Sequence, residues 1–251
     1  MPAQLATETP GILAMRAITI SHLYGSGGGE IGARLAQRLS WELVDHEIVA
    51  QVAERLGISV HEAAARDEYS ESFFARMLRT IQVTLGGPPN PAPLTVPVGE
   101  LQAVYHRTLV TLVRAAAEQG HVIIIGRGSQ VVLANRRDVL HVRIVAPLAE
   151  RIEYVARREG VSVVEAEVRI RRKDRDRINY LRTQYHQHSD NSLLYDLVIN
   201  TAVLDLDSAV LLVETALAAK ASRVGLPVQE LGPAAGQTPY PGEPGDLPLP
   251  D

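Results

Sequence analysis

The chain has 251 residues and not one cysteine. A disulfide framework, a zinc–thiolate site and a thiol nucleophile are therefore excluded. Lysine is almost missing too: Lys173 and Lys220 are the whole complement, and positive charge is carried by arginine. Arginine's planar fork suits bidentate phosphate contacts, although genomic base composition accounts equally well for most surface arginines. A basic excess is also lacking. The formal net charge is −4 and the pI about 6.1, which argues against a general nucleic-acid binder. No apolar run approaches the roughly 20 residues that span a bilayer, so no membrane partner is expected. Residues 1–15 lack the basic start and apolar run of a secretory signal, so the expected location is cytoplasmic.

What is present is ordinary for a soluble domain, with 46% hydrophobic and 22% charged residues. The length fits one substantial core, or one core with a small lid or insertion. Within that frame, residues 18–32 stand out: a β-branched strand runs into Gly25-Ser26-Gly27-Gly28-Gly29-Glu30 and opens a helix. Such a loop turns backbone N–H groups and the positive end of a helix dipole toward a phosphate. A plain tight turn is the alternative. The loop lacks the lysine of G-x-x-x-x-G-K-[ST]. Ser26 is the nearest hydroxyl that could meet a phosphate or its metal. Glu30 would repel a phosphate, so it must face a metal, pair with an arginine or turn away.

The pattern predicts an α/β fold, a doubly wound parallel sheet with ligand at the carboxyl ends of the strands. Strands are expected at 17–21, 41–44, 121–125, 139–145 and 196–200. Helices are expected at 29–39, 46–56, from 59, at 71–85, 100–119, from 147, from 162 and at 208–221. Ser59 with Glu62, and Ser162 with Glu165, form capping boxes. Residues 86–99 hold five prolines and read as an exposed loop. Residues 1–15 read as a flexible leader, 16–226 as a single domain, and 227–251 as a disordered proline- and glycine-rich tail.

Further motifs gather at strand ends. Arg127 lies between Gly126 and Gly128 after an apolar strand, where it can grip a phosphoryl group bidentately or simply form a structural ion pair. The run 171–177 concentrates Arg172, Arg175 and Arg177 on a helix, with Tyr180 and Tyr185 following. It suits a lid that neutralises transferring phosphates, or a solvated helical face. Asp45 ends the second strand, placed to accept from a ribose or to anchor local backbone. His186 and His188 have no partner at metal-ligand spacing and read as exposed loop residues. No protein metal cluster is expected.

With these residues assembled, the chain resembles the cytidylate kinase-like family of nucleoside monophosphate kinases. The matching stretches are ITISHLYGSGGGEIGARLAQRLSWELVDHEIV, HVIIIGRGSQVVL, VLHVRIVAPLAERIEYVARREG, RRKDRDRINYLRTQY and YDLVINTAVLD, together covering roughly residues 16–215. The resemblance implies a P-loop kinase core with a helical acceptor-binding insertion (46–119) and a lid (162–190). It implies transfer of the ATP γ-phosphoryl to a nucleoside monophosphate such as CMP, with Mg2+. Gly25, Ser26, Gly27, Gly28, Gly29 and Glu30 would hold donor phosphates. Arg127 would bind the acceptor phosphate, Asp45 would lie near the acceptor nucleoside, and Arg172, Arg175 and Arg177 would supply lid cations. Two departures from cytidylate kinases matter. Gly28 and Glu30 stand where those carry Lys and Thr, and Gly128 stands where they follow the strand arginine with aspartate. A lid arginine, or Arg34 one helical turn on, is a candidate stand-in for the lysine. The alternatives are a nucleotide-binding sensor without turnover and a kinase for a non-nucleotide small molecule.

Overall fold

A computed structural model describes residues 11–45, 98–126 and 128–232. Five parallel strands form one sheet: β1 (Ala17–His22), β2 (Glu42–Asp45), β3 (Val122–Ile125), β4 (Val139–Val145) and β5 (Leu197–Asn200). Their order is β2-β3-β1-β4-β5, so β1, which carries the glycine loop, lies at the centre. Six helices flank the sheet among the described residues: α1 (Gly28–Leu39), α2 (Val98–Gln119), α3 (Ser129–Val132), α4 (Leu148–Glu159), α5 (Val163–Tyr185) and α6 (Leu206–Ala221). The doubly wound parallel sheet expected from the pattern is the observed architecture.

The strands read as apolar runs because both faces are covered. On one face Ile18, Ile20, Ile123, Val142 and Ile144 pack against Ile31 and Leu35 of α1 and Val210, Val213 and Leu217 of α6. On the other, Val122, Ile124 and Val139 meet Leu112, Val113 and Ala116 of α2. Arg38 grips the buried Glu214 through two bonds of 2.7 Å and ties α1 to α6. A smaller cluster of Val155, Ala166 and Ile170 joins α4 to α5.

Helix starts follow the sequence signals. Ser162 accepts from the Glu165 N–H at 3.2 Å, as the capping box requires. Asp205 accepts from the Ser208 N–H at 2.7 Å, so α6 begins at Leu206, two residues before the expected start. The expectations of a loose leader over 1–15 and a disordered tail from 227 fail at their inner ends. Met15 and Ile12 are core residues, Ile12–Ala14 form a 3-10 turn, and Val228–Glu230 form another. At the first of these, burial of Ile12 and Met15 outweighs the local Gly and Pro signals. The helices expected within 46–97, Arg127 and the remainder of both termini lie outside the described residues.

Candidate functional site

The glycine loop turns on two left-handed residues, Gly25 at φ 80° and Gly27 at φ 83°. A side chain at either would be strained, and a Cβ on Gly27 would sit 2.5 Å from Leu206 Cδ2. Gly27 caps α1 with no side-chain hydrogen bond, leaving the first-turn N–H groups of the helix aimed into a cleft. That cleft, about 260 Å³ in volume, is lined by Gly25, Gly27, Gly28, Gly29, Arg158 and Arg177.

Ser26 takes no part through its hydroxyl, contrary to the sequence expectation. Its Oγ donates to the backbone oxygens of Leu23 at 2.8 Å and Ile144 at 3.1 Å. The hydroxyl therefore shapes the turn from inside. Glu30 pairs with Arg158 of α4, the second of the three outcomes foreseen for it. Tyr154 also bonds Glu30, and its phenol is pushed up to about 12, first by burial and then by that carboxylate. Asp45 lines this same cleft, and so faces the glycine loop and not the second cleft described below.

The loop is clamped from outside. Asp174 of α5 accepts from the Tyr24 N–H at 2.8 Å and from Arg151 at 2.6 Å. Arg151, only 7% exposed, also donates to the Tyr24 carbonyl at 3.0 Å. Tyr24 in turn donates from its hydroxyl to Glu159 at 2.6 Å. Long-range ties of this kind are invisible in a linear reading.

A second cleft of similar volume opens over the carboxyl ends of β1, β3 and β4. Gly126 and Gly128 form one wall, Arg143 and Gln130 the floor, and Lys173 and Arg177 of α5 the opposite wall. His22 and Arg177 line both clefts, and the Arg177 guanidinium donates to the His22 carbonyl at 2.8 Å. The two clefts therefore meet at that pair. Gly128 is left-handed at φ 72°, and a Cβ there would fall 2.4 Å from Tyr185 Cε2. The Tyr185 ring stacks edge-on against His106 and Tyr180, at 5.1 and 6.0 Å between centroids. An aspartate cannot enter at 128 unless that ring moves.

Of the three lid arginines expected from the sequence, Arg177 alone faces the clefts, while Arg172 and Arg175 are exposed and line neither. Arg34 is bonded to Asp207 at 2.5 Å, so it does not replace the loop lysine. His186 and His188 are exposed. The sequence reading missed Arg158, because helix α4 delivers it from about 130 residues beyond the loop, and it took in Lys173 only as part of the cationic run 171–177. It also missed Arg143, whose signal was legible: a charge at an inward position of the apolar strand β4.

Among the described residues, no helix is long and apolar enough to cross a membrane. No group of three or more His, Asp or Glu could hold a metal there.

Known proteins share this fold. A crystal structure of an uncharacterised protein from Eubacterium ventriosum superposes with a TM-score of 0.54 at 18% identity, over 81% of this chain and 98% of that one. The likeness establishes the fold. The chain is 36% identical to a cytidylate kinase of Methanopyrus kandleri over 97 residues, 36% of this chain and 50% of that protein. It is 38% identical to a cytidylate kinase of Thermococcus kodakarensis over 103 residues, 41% of this chain and 52% of that protein. It thus spans about half the length of these curated relatives. Residues 17–203 match the cytidylate kinase-like family from the start of β1 to beyond β5, and the chain belongs to that family.

Proposed function

We propose that the protein transfers the γ-phosphoryl group of ATP to a nucleoside monophosphate, CMP or a similar small phosphate acceptor. The observation that carries this reading is the meeting of two clefts at His22 and Arg177, one built as an anion cradle and the other opening at the strand ends. Phosphoryl transfer asks for positioning and charge neutralisation more than covalent chemistry, and two adjoining clefts with an arginine between them supply both.

In this reading the cradle of Gly25, Gly27, Gly28 and Gly29 holds the donor phosphates against the start of α1. The residues fit a polyphosphate: no side chain caps the start of α1, and Arg158 and Arg177 bring charge to the place where lysine is lacking. Arg158 also screens the phosphates from Glu30, the carboxylate it pairs with. Mg2+, when bound with ATP, supplies further neutralisation on the phosphate oxygens. Glu30, Asp45 and Glu159 are the carboxylates among the residues that line the cradle, and the ion would be held mainly by the nucleotide. The acceptor occupies the strand-end cleft, with Arg127 on its phosphate. Arg177 stands between the two and steadies the charge that develops in transfer. Arg172 and Arg175 serve as exterior cations of the lid region, and nucleotides rather than nucleic acids are the partners.

A coupled assay with ATP, Mg2+ and a panel of nucleoside monophosphates tests the reading. Turnover with CMP or a related acceptor is expected, and none with any acceptor would end it. One feature favours a second reading, a nucleotide sensor without turnover. The Ser26 hydroxyl is committed to backbone carbonyls and Glu30 stands where a metal-binding hydroxyl is usual. Calorimetry showing tight nucleotide binding without turnover would select that alternative.

A further inference from the structure

Two arginines of this protein are almost equally buried and are treated in opposite ways. Arg151 is 7% exposed and bonds a carboxylate, Asp174, at 2.6 Å. Arg143 is 8% exposed, and no carboxylate among the described residues pairs with it. Its partners are neutral. Nη1 donates to Ser21 Oγ at 2.9 Å and to the Tyr195 hydroxyl oxygen at 3.4 Å, and the guanidinium carbon lies 5.5 Å from the Tyr195 ring centre.

The neighbours are arranged to leave this charge open. Tyr195 donates its own proton to the Ser189 carbonyl at 3.0 Å, so its oxygen presents lone pairs to Arg143 and to Gln130 Nε2 at 3.4 Å. Ser21 is the register partner of Arg143 across the β1–β4 pair. One step below on the same face, Thr19 and His141 form a neutral pair at 2.7 Å. The polar ladder therefore climbs from the core to the strand ends and finishes in a cation at the cleft floor. A guanidinium taken out of water without a counter-charge is a standing cost to the fold, one that an oxyanion arriving from the cleft would remove.

The other charged groups at the cleft agree. Lys173 has no ion-pair partner among the described residues and lines the opposite wall. Asp174 also lines the cleft but is committed to Tyr24 and Arg151. Asp176 is exposed at the mouth.

We propose that Arg143 is the floor of an oxyanion subsite in the strand-end cleft, completed by Lys173, and that it selects acceptors presenting a phosphate group to the ends of β1 and β4. This deepens the kinase reading and rests on it for the word acceptor, but the anion site itself can be tested without turnover. No bond is made or broken at it, since binding alone is assigned.

The test titrates inorganic phosphate into the full-length chain by calorimetry, with saturating MgADP present to fill the cradle. Wild type is expected to bind phosphate in the millimolar range, and Arg143→Gln to weaken it at least tenfold. Lys173→Met should weaken it a few-fold. Ser21→Asp supplies an internal counter-charge, so it should abolish phosphate binding while raising the melting temperature. This variant also decides the matter if Arg143→Gln does not fold. Melting of Arg143→Gln at or above the wild-type temperature, without phosphate, separates a ligand-binding arginine from a structural one. Phosphate affinity unchanged in Arg143→Gln or in Ser21→Asp overturns the proposal, as does absence of phosphate binding by wild type. Failure of MgADP to bind, or of any monophosphate to turn over, would count against the kinase reading and leave the anion site standing on its own titration.

Discussion

The glycine-loop cleft and the strand-end cleft share His22 and Arg177 but handle charge in contrasting ways. Around the loop, charges are matched inside the protein: Glu30 with Arg158, Arg34 with Asp207, and Asp174 with Arg151 and the Tyr24 N–H. At the strand ends, Arg143 and Lys173 have no carboxylate partner among the described residues. Matched charges hold the glycine loop in shape, and in the proposed reading the N–H groups of the loop and of the start of α1 would make the contacts. Unmatched charges wait for a ligand's own counter-charge. In the proposed reading the two clefts would meet anions by different physics, preorganised dipoles in the first, and in the second the buried Arg143 with the partly buried Lys173.

That contrast fails if matched and unmatched charges turn out to behave alike under substitution, and the largest expected effect lies on the matched side. Asp174→Ala leaves the buried Arg151 without its carboxylate, with only the Tyr24 carbonyl to meet it, and takes from the Tyr24 N–H its Asp174 acceptor. The loss should be about 3–4 kcal/mol in urea denaturation, by the usual cost of breaking a buried pair. A loss below about 1 kcal/mol would show that the clamp is ornamental.

Acid should act on the strand-end side next. Burial holds His141 down at about 4, below its usual value near 6.5. The unfolded chain therefore takes up the proton first. Stability is full above pH 6.5 and is lost as pH falls toward 4, by on the order of 3 kcal/mol if the whole shift is realised. His141→Gln should flatten thermal melting across that window, and an unchanged acid limb in the variant would remove His141 from the account.

Restoring the missing lysine should then fail. A Cβ on Gly28 would lie 2.5 Å from His22 Cβ, so Gly28→Lys should cost about 2 kcal/mol through overpacking and give no gain in turnover. Gly28→Lys combined with His22→Gly should recover the stability. If the single variant is as stable as wild type, lysine was not excluded by His22.

The smallest effect distinguishes useful arginines from bystanders. Arg158→Ala should weaken MgATP binding about tenfold, the worth of one exposed charge-assisted contact. Arg175→Ala should leave it unchanged, because Arg175 lines neither cleft. Equal losses in both would mean that the helix acts through its general field and not through placed groups.

Much of the architecture could be read before any coordinates. Apolar runs at 121–125 and 139–145, and a glycine loop between a β-branched strand and a periodic helix, dictate a parallel sheet because the signals are local and periodic. The Ser162 cap and the loop's tight turn are equally local. Arg177 was legible as a cation near the site, and the need of Glu30 for a partner was legible from its charge. Which arginine answers that need was not, since Arg158 arrives on another helix. The reading also gave Ser26 a ligand-facing hydroxyl, whereas carbonyls of Leu23 and Ile144 claim it.

Order along the chain thus settled where strands, helices and the glycine loop would form, since backbone propensity and hydrophobic period are properties of neighbouring residues. Folding in three dimensions alone decided which charges cancel and which stay open. Coulombic partnership depends on distance and burial, and the partners Arg151 and Asp174, like Arg143 with no carboxylate among the described residues, acquire both only when separated segments close around the sheet.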